Sequence, residues 1–417
     1  MSASLYGIQR YPLPRLHANT PSLNPRIKRR TNTRTSKPFS FLYTLFSLFR
    51  ACFSLTSKAA STLLLIILIP ALSLFPSAYA TSGQWVKYAS NPVLIPTAGS
   101  WDGDYVTTPR VLYDGTTYRM WYQGGFSGVG RIGYATSSDG INWVKHGSVL
   151  SPGPSGSWDN SSVALGSVTW NGTAYLMWYT GTNGTTYPGG AVGLAVSKDG
   201  LNWVKYSGNP ILIPSGLGND QRYIATPYVI RLNLTYNMWY TGKSAALPNI
   251  NKILYATSFD GIKWTKWPSP VLAPASDPTA WDANGVYSPD VFWNGRVFGL
   301  WYSGINQTAP VPRIGFATSP DGATWNRSLS NPILIPGPSG SWDSAGVEQP
   351  SVVQVGSNYM MYYDGYSNVQ GQKIGLALSP QGFSVAEFPA PAFDIFLGLI
   401  ACAAICLVYY RKPQKHS

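Results

Sequence analysis

The central part of this sequence is poor in the residues that usually carry metal or nucleophile chemistry. Its three cysteines are Cys52, Cys402 and Cys406, all outside residues 81–390. No disulfide framework and no cysteine-based metal site can exist there. Of three histidines (His17, His146, His416), only His146 falls in that span. A His-based relay would have to use it, and a lone histidine among strand formers is expected to pack or to face solvent. Charge is also scarce, at 11% of residues. Residues 1–60 hold ten Lys and Arg and no acid, and Arg411, Lys412 and Lys415 follow Tyr410. With those ends and Asp394 set aside, seventeen basic residues face sixteen acidic ones. The pI near 9.5 therefore belongs to the termini, and no nucleic-acid partner is expected. Neither the composition nor any motif implies a cofactor or a metal.

Long apolar runs occur at two places. Ser61–Ala80 ends in Ser77-Ala78-Tyr79-Ala80 behind a basic segment, the pattern of a secretory signal peptide. An uncleaved anchor is the alternative. Ile395–Tyr410, flanked by Pro391 and Phe393, approaches the ~20 residues that span a bilayer, and the cations after it place the C-terminus inside. The expected order is a basic, disordered segment (1–60), a signal or anchor (61–80), a folded domain (81–390), a transmembrane helix (391–410) and a cytoplasmic tail (411–417). The domain would then be a monomer outside the cell, tethered to its membrane by one helix. Six sequons (Asn160, Asn171, Asn183, Asn233, Asn306, Asn326) are compatible with that side, although Asn171-Gly172-Thr173 also reads as a plain turn.

What is abundant is one phrase. Ser137-Ser138-Asp139-Gly140-Ile141-Asn142-Trp143 returns at Ser197–Trp203, Ser258–Trp264 and Ser319–Trp325, with a worn copy at Ser379-Pro380-Gln381-Gly382. The Asp residues are 60, 61 and 61 positions apart. A fixed period of this length marks an array of equal supersecondary units. Asp-Gly between runs of Val, Ile, Tyr and Trp reads as a tight hairpin.

Each unit reads as four strands. The first follows Trp-Asp and runs past a Pro (Trp101-Asp102 to Pro109, Trp281-Asp282 to Pro289, Trp342-Asp343 to Pro350). The second unit has Gly166 in place of the Pro, and the third has Asn219 in place of the Trp. The second strand carries an aromatic pair such as Trp121-Tyr122 or Tyr362-Tyr363. The third precedes the Asp-Gly turn and the fourth follows it. Four antiparallel strands repeated around an axis are propeller blades, so the expected fold is an all-β, five-bladed β-propeller. The fifth unit lacks a Trp after its turn. Trp85–Pro96 matches Trp203–Pro214 and is expected to supply that strand, closing the ring. Phe383–Phe388 competes for the same slot.

These motifs resemble the five-bladed glycoside hydrolase superfamily, which includes families 43, 32, 62 and 68 acting on arabinans, xylans and fructans. The turn also resembles the Asp-box of sialidases, which have one more residue between Asp and Gly and six blades. The first resemblance implies a carbohydrate partner and two carboxyl groups at the innermost strands, a Glu near a Pro as acid and an Asp immediately before a Pro as base.

Asp102, Asp159, Asp220, Asp282 and Asp343 occur in every unit and read as structural. Residues that break the repeat are more informative, because a single substrate needs an asymmetric site. Glu348 stands where other units have Thr107, Ala164, Ala225 and Tyr287, and is the expected general acid. Asp290, Asp364 and Asp104 are candidates for the second carboxylate. Arg110, Arg222 and Tyr287 are expected to contact the sugar. No Asp stands before the Pro in any unit (Thr108, Leu165, Thr226, Ser288, Gln349), so the base implied by the resemblance is missing there. Strand alternation also predicts that Glu348 and Asp290 point to opposite faces. The expected function is a glycosidase-like surface propeller that binds, and as an enzyme hydrolyses, a carbohydrate. The alternative is a non-catalytic module binding glycans or a protein.

Overall fold

The computed structural model describes residues 85–184, 189–216, 218–244 and 250–379. The expected N-terminal segments, the C-terminal helix and tail, and Phe383–Phe388 lie outside them. Among the described residues no helix is long and apolar enough to cross a membrane. The only helical element there is one 3-10 turn, Gly218–Asp220.

The described residues form five four-stranded antiparallel blades. Their innermost strands are Tyr105–Tyr113, Ser162–Trp170, Tyr223–Leu232, Gly285–Trp293 and Gly346–Val355. Each packs against the next, and the fifth returns to the first, so the strands form a closed ring. The closure uses the expected segment. Val86–Lys87 pairs antiparallel with the outer strand of blade 5 (Val86 with Leu378, Lys87 with Ala377), and Leu94 bridges Ile374. A ring closed in this way leaves no blade held by one neighbour alone, which limits fraying from the ends.

The repeated phrase holds neighbouring blades together. Ser137 Oγ accepts the Gly140 amide, and Asp139 Oδ1 accepts those of Ile141 and Asn142, each at 2.8 Å. Gly140 sits at φ 75°, where a side chain would be strained. The turn's glycine carbonyl then faces the preceding blade. Trp121 Nε1 donates to Gly200 O at 2.9 Å, Trp178 to Gly261 O at 3.2 Å and Trp239 to Gly322 O at 2.7 Å. Tyr362 of blade 5 donates to Gly140 O at 2.7 Å. These aromatics are wholly buried. Each contributes on the order of 1.5–3 kcal/mol or more by burial, with its polar atom satisfied.

The repeated aspartates are a second latch, within each blade. Asp102 Oδ2 accepts Tyr122 Oη at 3.1 Å and Lys145 Nζ at 2.6 Å. Asp159 does the same with Tyr179 and Lys205, Asp343 with Tyr363 and Lys87, and Asp282 with Tyr302 and Arg327. Strand 4 is thereby tied to the start of strand 1 through a buried carboxylate that is both paired and hydrogen-bonded. His146 lies outside any such site, with Nε2 2.7 Å from Thr136 Oγ1 and its ring against Tyr134. Asn306 is buried and its Nδ2 donates to Pro278 O and Ala280 O, so this sequon is engaged within the fold.

The candidate active site

The innermost strands reach the axis through a shared irregularity. In four blades the pairing with the second strand skips two residues, as between Thr107 and Arg110 or between Glu348 and Ser351. The residue before the proline is left-handed there (Thr108, Thr226, Ser288 and Gln349, φ 45–54°). That conformation is unfavourable for non-glycine residues. In blade 2, where Gly166 replaces the proline, the skip is one residue shorter and Leu165 is not left-handed.

This bulge corrects the expectation from strand alternation. The pairs Glu348–Asp364 and Ser351–Tyr362 bracket the bulge, so an extra residue restores the same facing on either side of it. Positions 287 and 290, like 348 and 351, therefore face the axis together, at two depths.

The deeper level is a plug. Arg110 is buried and donates to the carbonyls of Gly166, Pro109, Pro350 and Pro289, belonging to four blades. Its guanidinium lies 5.5 Å from the centroid of the Tyr228 ring. Asp290 Oδ2 accepts the Val352 amide at 3.0 Å. Ser351 and Ser167 accept the Val111 and Val229 amides in the same way. Burial pushes Asp290 up to about 6, against the opposing pull of Arg110, the Val352 amide and the Tyr228 hydroxyl. Arg110 thus joins four blades, and Asp290 joins blade 4 to blade 5.

The shallower level opens to solvent, and here Glu348 and Asp364 stand directly opposite each other on adjacent strands. Residues so paired have Cβ atoms about 4.5–5.5 Å apart. Asp364 is wholly buried, while Glu348 keeps 9% of its surface exposed. Tyr287, from blade 4, donates to Glu348 Oε2 at 2.6 Å. Asp364 Oδ2 lies 2.5 Å from Thr107 Oγ1 of blade 1 and accepts Gln372 Nε2 at 3.2 Å. Its Oδ1 is buried without a partner among the described residues.

In blades 2, 3 and 4 the residue at the Asp364 position is a hydroxyl that accepts the pre-proline amide of the next blade. The pairs are Thr180 with Thr226, Thr241 with Ser288, and Ser303 with Gln349. Asp364 makes a different contact at that position, with the Thr107 side chain.

Burial raises both carboxyls above their usual range, and the Glu348 charge raises Asp364 further. Two like charges this close cannot both ionise cheaply. Thr107 Oγ1 has one proton and two acceptors in reach, Asp364 and Gln349 Oε1 at 3.1 Å. Burial and the closeness of the two groups therefore favour a protonated form of the pair.

Beside this pair is a cavity of about 420 Å³ at blades 3 to 5, lined by Arg222, Tyr223, Thr241, Lys243, Tyr287 and Gln349 among others. Tyr287 thus touches both the cavity and Glu348. Asp104, exposed at the rim of blade 1, accepts the Ser127 amide at 2.7 Å. Of the sequence-predicted residues, Glu348, Asp364 and Tyr287 come together, Arg222 joins them across the cavity, Asp104 sits on the rim, and Asp290 and Arg110 lie beneath. Lys243 and Thr107 were missed. Lys243 breaks the repeat (Gly125, Thr182, Ile305 and Tyr366 elsewhere), and that signal could have found it. Thr107 carries no signal outside its contact with Asp364.

Comparison with known proteins agrees with this fold. The glycosyl hydrolases family 32 N-terminal domain matches residues 109–271. An uncharacterized protein of Mycobacterium tuberculosis is 31% identical over 228 residues, 52% of this chain and 72% of that protein. The chain belongs to the five-bladed glycoside hydrolase superfamily of β-propellers. A β-1,2-mannobiose phosphorylase of Thermoanaerobacter is 29% identical over 110 residues, 23% of this chain and 35% of that protein. The solved structure of a β-1,2-mannobiose phosphorylase from Listeria innocua superposes with a TM-score of 0.58 at 16% identity, covering 71% of this chain and 97% of that one. At that identity it shows a shared fold.

Proposed function

We propose that this propeller binds a carbohydrate in the cavity beside Glu348 and cleaves a glycosidic bond there, with Glu348 as proton donor. The supporting observation is the paired Glu348 and Asp364, both raised by burial, Asp364 further by the Glu348 charge. An acid that must donate at neutral pH needs such a shift. Glu348 is the member with exposed surface, so it meets the leaving oxygen. Asp364 lies behind it and sets its proton affinity. Water adds to the anomeric carbon as the bond to the protonated oxygen breaks, and Asp104 is the rim carboxylate available to take the water's proton. The mannoside-active names among the similar proteins make β-linked mannosides the first substrates to try. Aryl glycosides, arabinan, xylan and fructan follow. Sugar release that disappears in Glu348→Gln supports the reading, and release that persists in that variant refutes it.

A binding module is the second reading, favoured by one observation. The two paired carboxyls stand on one blade, and hydrolysis by two carboxyls needs groups flanking the bond. Glycan binding without release, unchanged in Glu348→Gln, would select it. We also propose that the apolar segment Ile395–Tyr410 tethers the propeller outside the cell. Protease added to intact cells should then remove it, and protection would place it inside.

A further inference from the structure

The cavity holds two cations that the repeat does not require. Lys252, Arg313, Lys373 and Arg131 recur at one position in four blades, opposite Gly242, Gly304, Gly365 and Gly124. Lys252 there reaches Asn219, at 2.8 Å. These are blade-building positions. Arg222 and Lys243 are different. The amide of Arg222 donates to the Lys243 carbonyl at 3.0 Å, and the same bond recurs in the other blades. The residues making it there are Asp104 and Gly125, Ser161 and Thr182, Asn284 and Ile305, and Ala345 and Tyr366. Blade 3 alone puts a cation at both ends.

Both side chains are half-buried on the cavity wall, and neither has a side-chain hydrogen bond or ion pair among the described residues. Among the described residues the carboxylates are engaged elsewhere, Asp104 by the Ser127 amide and Asp277 by Thr279. The aspartates at the Asp-Gly turns are capped, those before strand 1 are latched, and Asp114 pairs with Arg119. Asp290 belongs to the axial plug, and Glu348 and Asp364 lie behind Tyr287, whose hydroxyl donates to Glu348. The cavity wall thus carries two cations and no carboxylate, with the Glu348–Asp364 pair reached through Tyr287. Half-buried cations without a protein partner favour an anion that can pair with both.

We propose that Arg222 and Lys243 form an oxyanion subsite, so that the sugar bound in this cavity carries a negatively charged group, a carboxylate or a sulfate ester, next to the bond presented to Glu348. This rests on the carbohydrate-binding part of the reading above and is independent of whether cleavage occurs.

The test uses the full-length chain in a sugar-free detergent and matched pairs of methyl and nitrophenyl glycosides, each neutral hexoside against its hexosiduronate or sulfate ester. Binding is read by calorimetry and cleavage by nitrophenol release. The acidic member is expected to bind about 10- to 100-fold more tightly, the worth of one or two charge-assisted hydrogen bonds. Arg222→Gln and Lys243→Gln should each reduce that acid-over-neutral ratio by about 10-fold. Arg222→Lys should retain most of it, and Lys198→Gln, on a turn outside the cavity, should leave it alone. Inorganic sulfate should compete with the acidic ligands only. Acidic binding without cleavage sustains the subsite and removes the enzyme reading. Neutral and acidic sugars bound or cleaved alike, with a ratio insensitive to Arg222 and Lys243, overturn the subsite and leave the enzyme reading intact. Inorganic phosphate that is consumed and appears as a sugar phosphate also overturns it, because the cations would then serve an attacking anion. Binding of neither sugar overturns both.

Discussion

Asp290 and Asp364 are both fully enclosed aspartates on the channel, each at a position where no other blade has an acid. Their surroundings differ. Asp290 accepts a backbone amide, sits near the Arg110 guanidinium, and occupies a level where serines do similar work in blades 2 and 5. Asp364 faces another carboxyl, breaks the contact used by three other blades at its position, and has an oxygen without a partner among the described residues. Burial alone therefore does not distinguish structure from chemistry. The difference is whether the surrounding dipoles compensate the charge. The plug is compensated and joins blades. The mouth is left uncompensated, which keeps a proton available there.

The comparison can be broken most sharply at Glu348. Glu348→Gln should cut glycoside cleavage by about 10²- to 10⁴-fold, the usual contribution of a positioned acid, while the thermal unfolding temperature does not fall. At the plug the reverse is expected. Asp290→Ala should lower stability by about 3–5 kcal/mol in chemical denaturation, because Arg110 loses its counter-charge inside the protein. If Asp290 belonged to the reacting site, the folded fraction of that variant would lose activity as Glu348→Gln does.

The third expectation concerns pH. The folded-state pKa of Asp364 is raised, so the folded chain holds a proton that the unfolded chain releases above about pH 4. Stability from this group is lost as pH rises from about 4 through the folded pKa. Asp364→Asn should therefore stabilise the protein by about 1–3 kcal/mol at neutral pH, with the gain fading below about pH 4. Asp290, raised to about 6, should add its own fall in stability between roughly pH 4 and that value. A gain for Asp364→Asn that persists at pH 3 would assign it to packing. The smallest effect is expected at Tyr287. Tyr287→Phe removes the bond that favours ionised Glu348, and should slow cleavage by about 10-fold while moving the alkaline limb of the pH profile upward.

Much of the fold is legible in the chain. The 60- and 61-residue spacings give the blades, the worn copy at Ser379 points to closure by Trp85–Pro96, and the recurrence of Asp102 and its equivalents marks them as structural. Even the exception at Gly166 corresponds to a local change in the bulge. The site is legible only as a set of exceptions. Glu348, Asp364, Asp104, Arg222 and Asp290 all depart from the repeat, and nothing local sorts them into a proton-holding pair, a rim, an anion-binding wall and a plug. Lys243 shows the limit well, since it breaks the pattern but gains meaning only beside Arg222.

The sequence by itself determined the ring: the number of blades, their turns and the strand that closes them. Those depend on short-range periodicity and on residues repeated in register, which a single chain displays directly. Only the tertiary structure decided which exceptional residues meet. Glu348 faces Asp364 through strand pairing across 16 positions, and Thr107 reaches them from the far end of the chain because the ring closes there. A bulge of one extra residue then turns Asp290 back toward the axis at a greater depth. The left-handed residues of that bulge are held by the surrounding blades, against their own preference, and that is why alternation along the strand gave the wrong facing.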